Sequence, residues 1–371
     1  MSIFLKKEKP SVFRPAEETV SLVNDLIEKA VKVKASDIHF EPLAAGMRVR
    51  FRTDGFLSEV RSIEKKLVPQ ILARIKVMIS ADIGQSRLPQ DGKVHMILGG
   101  EHFDIRVSTM PTIFGEKAVL RLLNKGQAAL PLEELGFTAS QLSLYRKAIT
   151  RPHGLILVTG PTGSGKTTTL YSSLNEINDP SKNILTIEDP VEYEIPGISQ
   201  VQVNYRTGLD FKRGLRSILR QDPDVIMVGE IRDNETAKIA VAAAMTGHLV
   251  FSTLHTNSAS GAVERLVDMG VEPYLAASGL VCVVAQRLVR KLCPKCEECG
   301  YTGFKGRRAV YEVLFFDQRV KEAVRTCPDK KLIENVSGRS SMYESGMEAV
   351  RAGLICEREL AGITCEDVQC F

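Results

Sequence analysis

The sequence predicts an α/β fold with a mostly parallel sheet, preceded by a smaller α+β domain. Three patterns carry that expectation. In the second half, four apolar, β-rich runs (154–159, 184–187, 225–228 and 249–253) alternate with stretches of helical spacing. Runs of this kind, without polar alternation, mark strands buried on both faces of a parallel sheet. In the first third, apolar residues alternate with polar ones, the period of half-buried strands. Between the first buried run and the helix after it lies a turn rich in glycine, from Gly160 to Gly165.

Taken in order, residues 1–15 read as a loose lead-in with Lys6, Lys7 and Lys9. From Glu17 to about Lys34, Val20, Leu22, Val23, Leu26, Ile27, Ala30 and Val31 recur at three and four, which predicts an amphipathic helix. Met47–Arg52 alternates, Thr53-Asp54-Gly55 supplies a turn, and Leu57–Val60 resumes the strand pattern. A helix is expected from about Lys65 to Ile79. Val94–Leu98 and Phe103–Val107 flank Gly99-Gly100 as a hairpin, and Ala118–Leu123 closes an α+β domain over 16–123. Residues 124–136, with Gly126, Pro131 and Gly136, read as the interdomain linker. A helix over about 139–148 leads into an α/β core spanning 137–290. Residues 291–371 read as a cysteine-rich segment followed by helix to the end.

Composition narrows the function classes. A chain of 371 residues holds about two or three domains. Its 44% hydrophobic and 25% charged residues argue against wholesale disorder. A net charge of +4 is too mild to indicate nucleic acid or an anionic membrane. The longest apolar run, Tyr274–Ala285, falls short of a membrane span. The first residues lack the apolar core of a signal peptide, so a cytoplasmic protein is expected. Three of the eight cysteines form Cys293-x-x-Cys296-x-x-Cys299, a metal site or a chance cluster of thiols.

The sharpest motif comprises Gly160, Pro161, Thr162, Gly163, Ser164, Gly165, Lys166 and Thr167, with Thr168 following. It fits G-x-x-x-x-G-K-[ST] in full, between a buried strand and a helix. The glycines let backbone N–H groups turn toward one anion at a helix N-terminus. Lys166 would reach the β- and γ-phosphates of ATP, and the Thr167 hydroxyl would ligate Mg2+.

Acidic residues end the next strands. Ile187 leads into Glu188, Asp189 and Glu192, and Val228 into Gly229 and Glu230. In an open α/β sheet, the carboxyl ends of the strands are where ligands sit. One such acid can hold Mg2+, with Glu230 in the Walker-B position, and another can orient the attacking water. His255 ends the strand 249–253 on the same edge. His248 precedes that strand and would brace the site or sense the nucleotide.

Together these strings resemble the secretion-type traffic ATPases of type II secretion and type IV pilus assembly. The similarity runs over residues 16–325. It is carried by Ala35-Ser-Asp-Ile-His39-Phe-Glu-Pro42, Arg52-Thr-Asp-Gly55, Arg87-Leu-Pro-Gln-Asp-Gly92, the phosphate loop, Ile187-Glu-Asp-Pro-Val-Glu192, Val228-Gly-Glu-Ile-Arg-Asp233, Thr246-Gly-His-Leu-Val-Phe-Ser-Thr-Leu-His-Thr256 and Gln286-Arg-Leu-Val-Arg-Lys-Leu-Cys-Pro294. The resemblance implies a RecA-like P-loop domain, a homo-hexameric ring, and nucleotide between the N-terminal domain and the ATPase core. It also implies a polytopic inner-membrane platform protein as partner, with the ring peripheral to the inner face of that membrane. By the same resemblance Glu192 activates water, Glu230 is the Walker-B glutamate, and His248 and His255 form a histidine box. Arg106 and Arg121 match N-terminal-domain arginines that approach the γ-phosphate.

The match departs from the family in two places. Many members hold structural zinc with two separated Cys-x-x-Cys pairs. Here the pairs overlap, so Zn2+ on Cys293, Cys296 and Cys299 would need a fourth ligand, such as Cys327, Cys282 or water. The extra N-terminal domain many members carry is not matched, so recruitment is expected through residues 1–120, the ring face or another protein. Pilus retraction and DNA-uptake motors are the neighbouring readings. A nucleic-acid-translocating ATPase is the alternative of another class. No basic stripe interleaved with aromatics supports that alternative, and no direct nucleic-acid partner is expected.

Overall fold

The structure is a computed structural model that describes residues 15–124, 130–295, 303–338 and 341–364. The chain divides into two compact units, Met1–Gln127 and Ala128–Phe371.

The first unit runs α1 (Pro15–Lys32), β1 (Asp37–Leu43), β2 (Gly46–Thr53), β3 (Phe56–Glu64), α2 (Val68–Met78), β4 (Gln90–Leu98), β5 (Glu101–Thr112) and β6 (Gly115–Asn124). Its sheet is antiparallel throughout, in the order β3-β2-β1-β6-β5-β4. Asp54 and Gly55 take φ of 51° and 90°, the left-handed pair that a two-residue hairpin requires. The strand pattern alone did not predict β1. Its Ile38 and Phe40 join Val49, Phe51, Ile105, Val107 and Leu120 in one core with α1 and α2. Its alternate residues, Asp37, His39 and Glu41, belong to the other, charged face. There Glu41 is 8% exposed and accepts hydrogen bonds from Arg48, Arg50 and Lys117. Burial pushes the Glu41 carboxyl up, but the bonds from Arg50, Lys117 and Arg48 outweigh it and hold it at about 2.

The second unit opens earlier than its first predicted helix. Leu132, Leu135 and Phe137 are buried in its core, and the Phe137 ring stacks 3.7 Å from that of Tyr311. The end of the segment expected to be linker is therefore packed core, while residues 125–129 lie outside the described residues. There follow α3 (Ala139–Ile149), β7 (Gly154–Thr159), α4 (Lys166–Ile177), β8 (Ile184–Glu188), β9 (Ser199–Gln202), α5 (Phe211–Ile218), β10 (Val225–Val228), α6 (Asn234–Met245), β11 (Leu249–Leu254), α7 (Ala259–Asp268), α8 (Pro273–Gly279) and β12 (Leu280–Leu292). The chain closes with β13 (Phe304–Phe315), α9 (Gln318–Thr326), α10 (Lys330–Ser337), α11 (Met342–Arg351) and α12 (Glu357–Thr364).

The sheet order is β13-β12-β7-β11-β10-β8-β9, parallel from β12 to β9 with β13 antiparallel on the edge. Along β7, Leu155 and Leu157 belong to one apolar cluster and Ile156 and Val158 to another, so both faces of the sheet are covered. This is the mixed α/β, mostly parallel architecture that the buried runs predict. It differs after Arg290, where the predicted helical tail is preceded by β13. Among the described residues, no helix is long and apolar enough to cross a membrane.

Candidate functional site

The site begins where β7 stops. All six residues of that strand are buried, so the chain leaves the sheet at a fixed point and turns at once into α4. Gly160, Gly163 and Gly165 take φ of 149°, 79° and 87°, conformations that an L side chain rarely adopts. A Cβ on Gly160 would stand 2.6 Å from the Gln286 carbonyl oxygen, so the loop closes tightly there. Around Gly163 the space is open. Pro161, Thr162 and Gly163 are exposed, as are Thr167 and Thr168 in the first turn of α4. The Ser164 hydroxyl is buried with no hydrogen-bond partner among the described residues. Lys166 Nζ donates to the carbonyls of Gly160 at 2.8 Å and Pro161 at 3.1 Å. Burial pulls the Lys166 ammonium down from its ordinary range, with Glu230 acting against that shift.

Thr159, the last residue of β7, fixes the loop to the end of β11. Its Oγ1 accepts from Thr256 N at 2.8 Å and lies within 3.0 Å of the Thr256 carbonyl. The turn holding His255 thus starts beside the phosphate loop.

Glu230 follows β10 on the same edge. Its carboxylate pairs with the Arg232 guanidinium and lies 3.7 Å from His255 Nε2. Burial first, and then Lys166, lower the pKa of His255, with Glu230 opposing. Arg287 on β12 is a further cation at the loop, its guanidinium donating to the Asn257 side chain and carbonyl at 3.0 and 3.1 Å.

Glu188 has different surroundings. It is 3% exposed and accepts from the Tyr171 hydroxyl, from Thr186 Oγ1 at 2.5 Å and from Gln200 Nε2 at 3.2 Å. Burial raises its pKa despite these bonds. The Tyr171 oxygen also accepts from the backbone N–H of Glu192 at 3.3 Å, so one α4 side chain positions both Glu188 and the turn carrying Glu192. Asp189 is exposed and accepts from the Tyr205 hydroxyl at 3.3 Å.

Not every expected residue joins this edge. His248 stands at the opposite end of β11, donating from Nδ1 to the Ala243 carbonyl at 3.0 Å. A six-residue strand at about 3.3 Å per residue puts about 20 Å between it and His255. Within this unit, His248 caps the end of α6 and does not meet the phosphate loop. Arg106 and Arg121 belong to the first unit, where they face each other across β5 and β6, and Arg121 Nε donates to Asp37 at 3.0 Å. Of the cysteine cluster, Cys293 donates to the Lys295 carbonyl, while Cys296 and Cys299 lie outside the described residues. Among the described residues, no group of three or more His, Cys, Asp or Glu side chains forms a metal site.

Sequence reasoning did not single out Arg232, Tyr171, Thr159 or Arg287. A basic residue two positions after the strand-end Glu230 was the available signal for Arg232. The other three are recognisable through partners distant in sequence.

A family model described as type II/IV secretion system protein matches residues 15–362. The chain is 45% identical to the type II secretion system protein E of Aeromonas hydrophila, over 94% of this chain and 76% of that one. It is 46% identical to the type II secretion system ATPase E of Vibrio cholerae serotype O1, over 94% and 75%. Among solved structures, the pilus retraction motor PilT with bound ADP is 30% identical, with a TM-score of 0.68 over 91% of this chain and 96% of that one. The Legionella pneumophila ATPase DotB matches at a TM-score of 0.74 over 98% and 99%. At 24% identity, that likeness speaks for the fold.

Proposed function

The chain belongs to the type II/IV secretion system protein family, and on that premise we propose that it hydrolyses ATP to drive type II secretion or the assembly of a type IV pilus or pseudopilus. The observation that carries this reading is the phosphate loop with Glu230, Arg232 and His255 gathered at its mouth. Identity of 45–46% to secretion proteins, against 30% to a retraction motor, favours the secretion and assembly branch.

The loop amides and the N-terminus of α4 offer donors and positive field to a polyphosphate. The buried Ser164 hydroxyl is a further polar group at that loop. Lys166 neutralises phosphate charge. The exposed Thr167 hydroxyl and the Glu230 carboxylate are hard oxygen donors suited to Mg2+. Bound there, Mg2+ would neutralise charge on the phosphates. Glu192 takes the proton of the attacking water as its oxygen bonds to the γ-phosphorus and the bond to ADP breaks, giving ADP and phosphate. Arg232 and His255 hold Glu230 in place. Arg106 and Arg121 supply cationic stabilisation to the γ-phosphate once subunits form a homo-hexamer. That ring works at the cytoplasmic face of the inner membrane, against a polytopic platform protein.

Hydrolysis measured against protein concentration tests this reading. Specific activity is expected to rise steeply as rings form and to be absent in Lys166→Ala. Hydrolysis undiminished in that variant overturns the site, and specific activity independent of concentration overturns the ring.

A further inference from the structure

The phosphate loop takes part of its shape from a distant strand. Gln286 lies on β12, 1% exposed, at the end of the apolar run Leu280–Ala285. Its Nε2 donates to the Ser164 carbonyl at 2.6 Å, and its Oε1 accepts from Thr169 Oγ1 at 2.8 Å. A Cβ on Gly160 would lie 2.6 Å from the Gln286 carbonyl oxygen, and one on Gly165 would lie 3.2 Å from Nε2. One residue therefore presses on both ends of the glycine turn, holds a carbonyl in its middle and ties it to the first turns of α4. A carboxamide can do this because it donates and accepts at once. A carboxylate of the same size accepts alone, and a thioether does neither well.

The position of Ser164 matters to a ligand. Its carbonyl oxygen belongs to the peptide whose N–H is that of Gly165, so fixing that oxygen fixes the direction of a loop amide. Preorganised amides bind a phosphate without first spending free energy on reorientation. We propose that Gln286 is a positioning residue for the bound nucleotide, aiming the loop amides through the Ser164 carbonyl. This rests on the reading of the loop as the nucleotide site.

The test is fluorescent titration of the full chain with mant-ADP and Mg2+, beside steady-state hydrolysis and thermal melts. Gln286→Met keeps the volume and removes both bonds. It is expected to raise the nucleotide Kd and KM about tenfold or more, with kcat per bound nucleotide changed less. Thr169→Val leaves the Ser164 bond in place and is expected to raise Kd less than about threefold. Gln286→Glu guards against a variant that fails to fold, because it keeps the bond from Thr169. Having lost the donor to the Ser164 carbonyl, it is expected to raise Kd as Gln286→Met does. A purely structural brace would lower Tm in Gln286→Met and leave Kd unchanged. Wild-type binding with unchanged Kd in Gln286→Met and Gln286→Glu overturns the inference alone. Absence of mant-ADP binding by the wild type overturns the nucleotide reading, and this inference with it.

Discussion

Glu188 ends β8 and Glu230 follows the parallel neighbour β10 by two residues, with Ile187 directly opposite Val228 in the ladder, yet their surroundings are opposite. Glu188 is walled in by Tyr171, Thr186 and Gln200, neutral donors that occupy its oxygens. Glu230 meets Arg232 and His255 and lies in the field of Lys166. A strand end in a parallel sheet brings a carboxylate to the edge where ligands bind. What faces it there decides whether it holds the structure together or remains available to a metal or a phosphate. Burial favours the protonated form of Glu188, although its three neutral donors act against that shift.

Substitutions can break this contrast. The largest effect is expected from Lys166→Ala, which should lower steady-state hydrolysis by about 10³-fold. Glu230→Gln should come next, cutting kcat by about 10²-fold or more while mant-ADP still binds, and Glu192→Gln should match it. Glu188→Gln is the informative counterpart. Its kcat should stay within about tenfold of wild type, and its urea midpoint should fall by the equivalent of about 1–2 kcal/mol. A kcat as low as that of Glu230→Gln would end the distinction between the two acids. A subtler effect concerns pH. Burial, and then Lys166, lower the pKa of His255, so its protonation is displaced to lower pH than for an ordinary histidine. Turnover of wild type and His255→Gln should therefore run parallel from pH 8 to 6.5, and a divergence inside that window would show a charged imidazole. The smallest effect on turnover is expected at Glu41, a third carboxylate with three cationic partners. Its folded pKa of about 2 lies below the ordinary 4.5, so its stabilisation is complete above pH 4.5 and lost as pH falls toward 2. Acid denaturation of Glu41→Gln should show a weaker pH dependence over that interval.

Much of the fold was legible because its signals are local. The glycine spacing of 160–165 and the buried runs at 154–159, 184–187, 225–228 and 249–253 are readable within a few residues. β1 carries the same alternation, Ile38 and Phe40 against Asp37, His39 and Glu41, but the partners that hold it, Arg50 on β2 and Lys117 and Arg121 on β6, are distant in sequence. β12 and β13 carry Arg287, Arg290, Arg307 and Arg308, charged residues that break the apolar pattern of a buried strand. Arg290 is in fact covered, bonded to Glu359 at 2.6 Å and lying 3.9 Å from the Phe304 ring centroid. Pairings across 69 residues leave no trace in a short window. At the site, Glu230 and His255 followed from strand-end position. His248 was knowable too, since two histidines bracketing a six-residue strand must sit at its opposite ends.

The bond between Thr159 and Thr256 has a mechanical consequence. It welds two surface turns at their roots, so that joint has the stiffness of a hydrogen bond where a bare loop would be compliant. The histidine turn and the start of the glycine turn are thereby joined directly, side chain to backbone. Parting these two turns would break that bond, so they are expected to move as one piece.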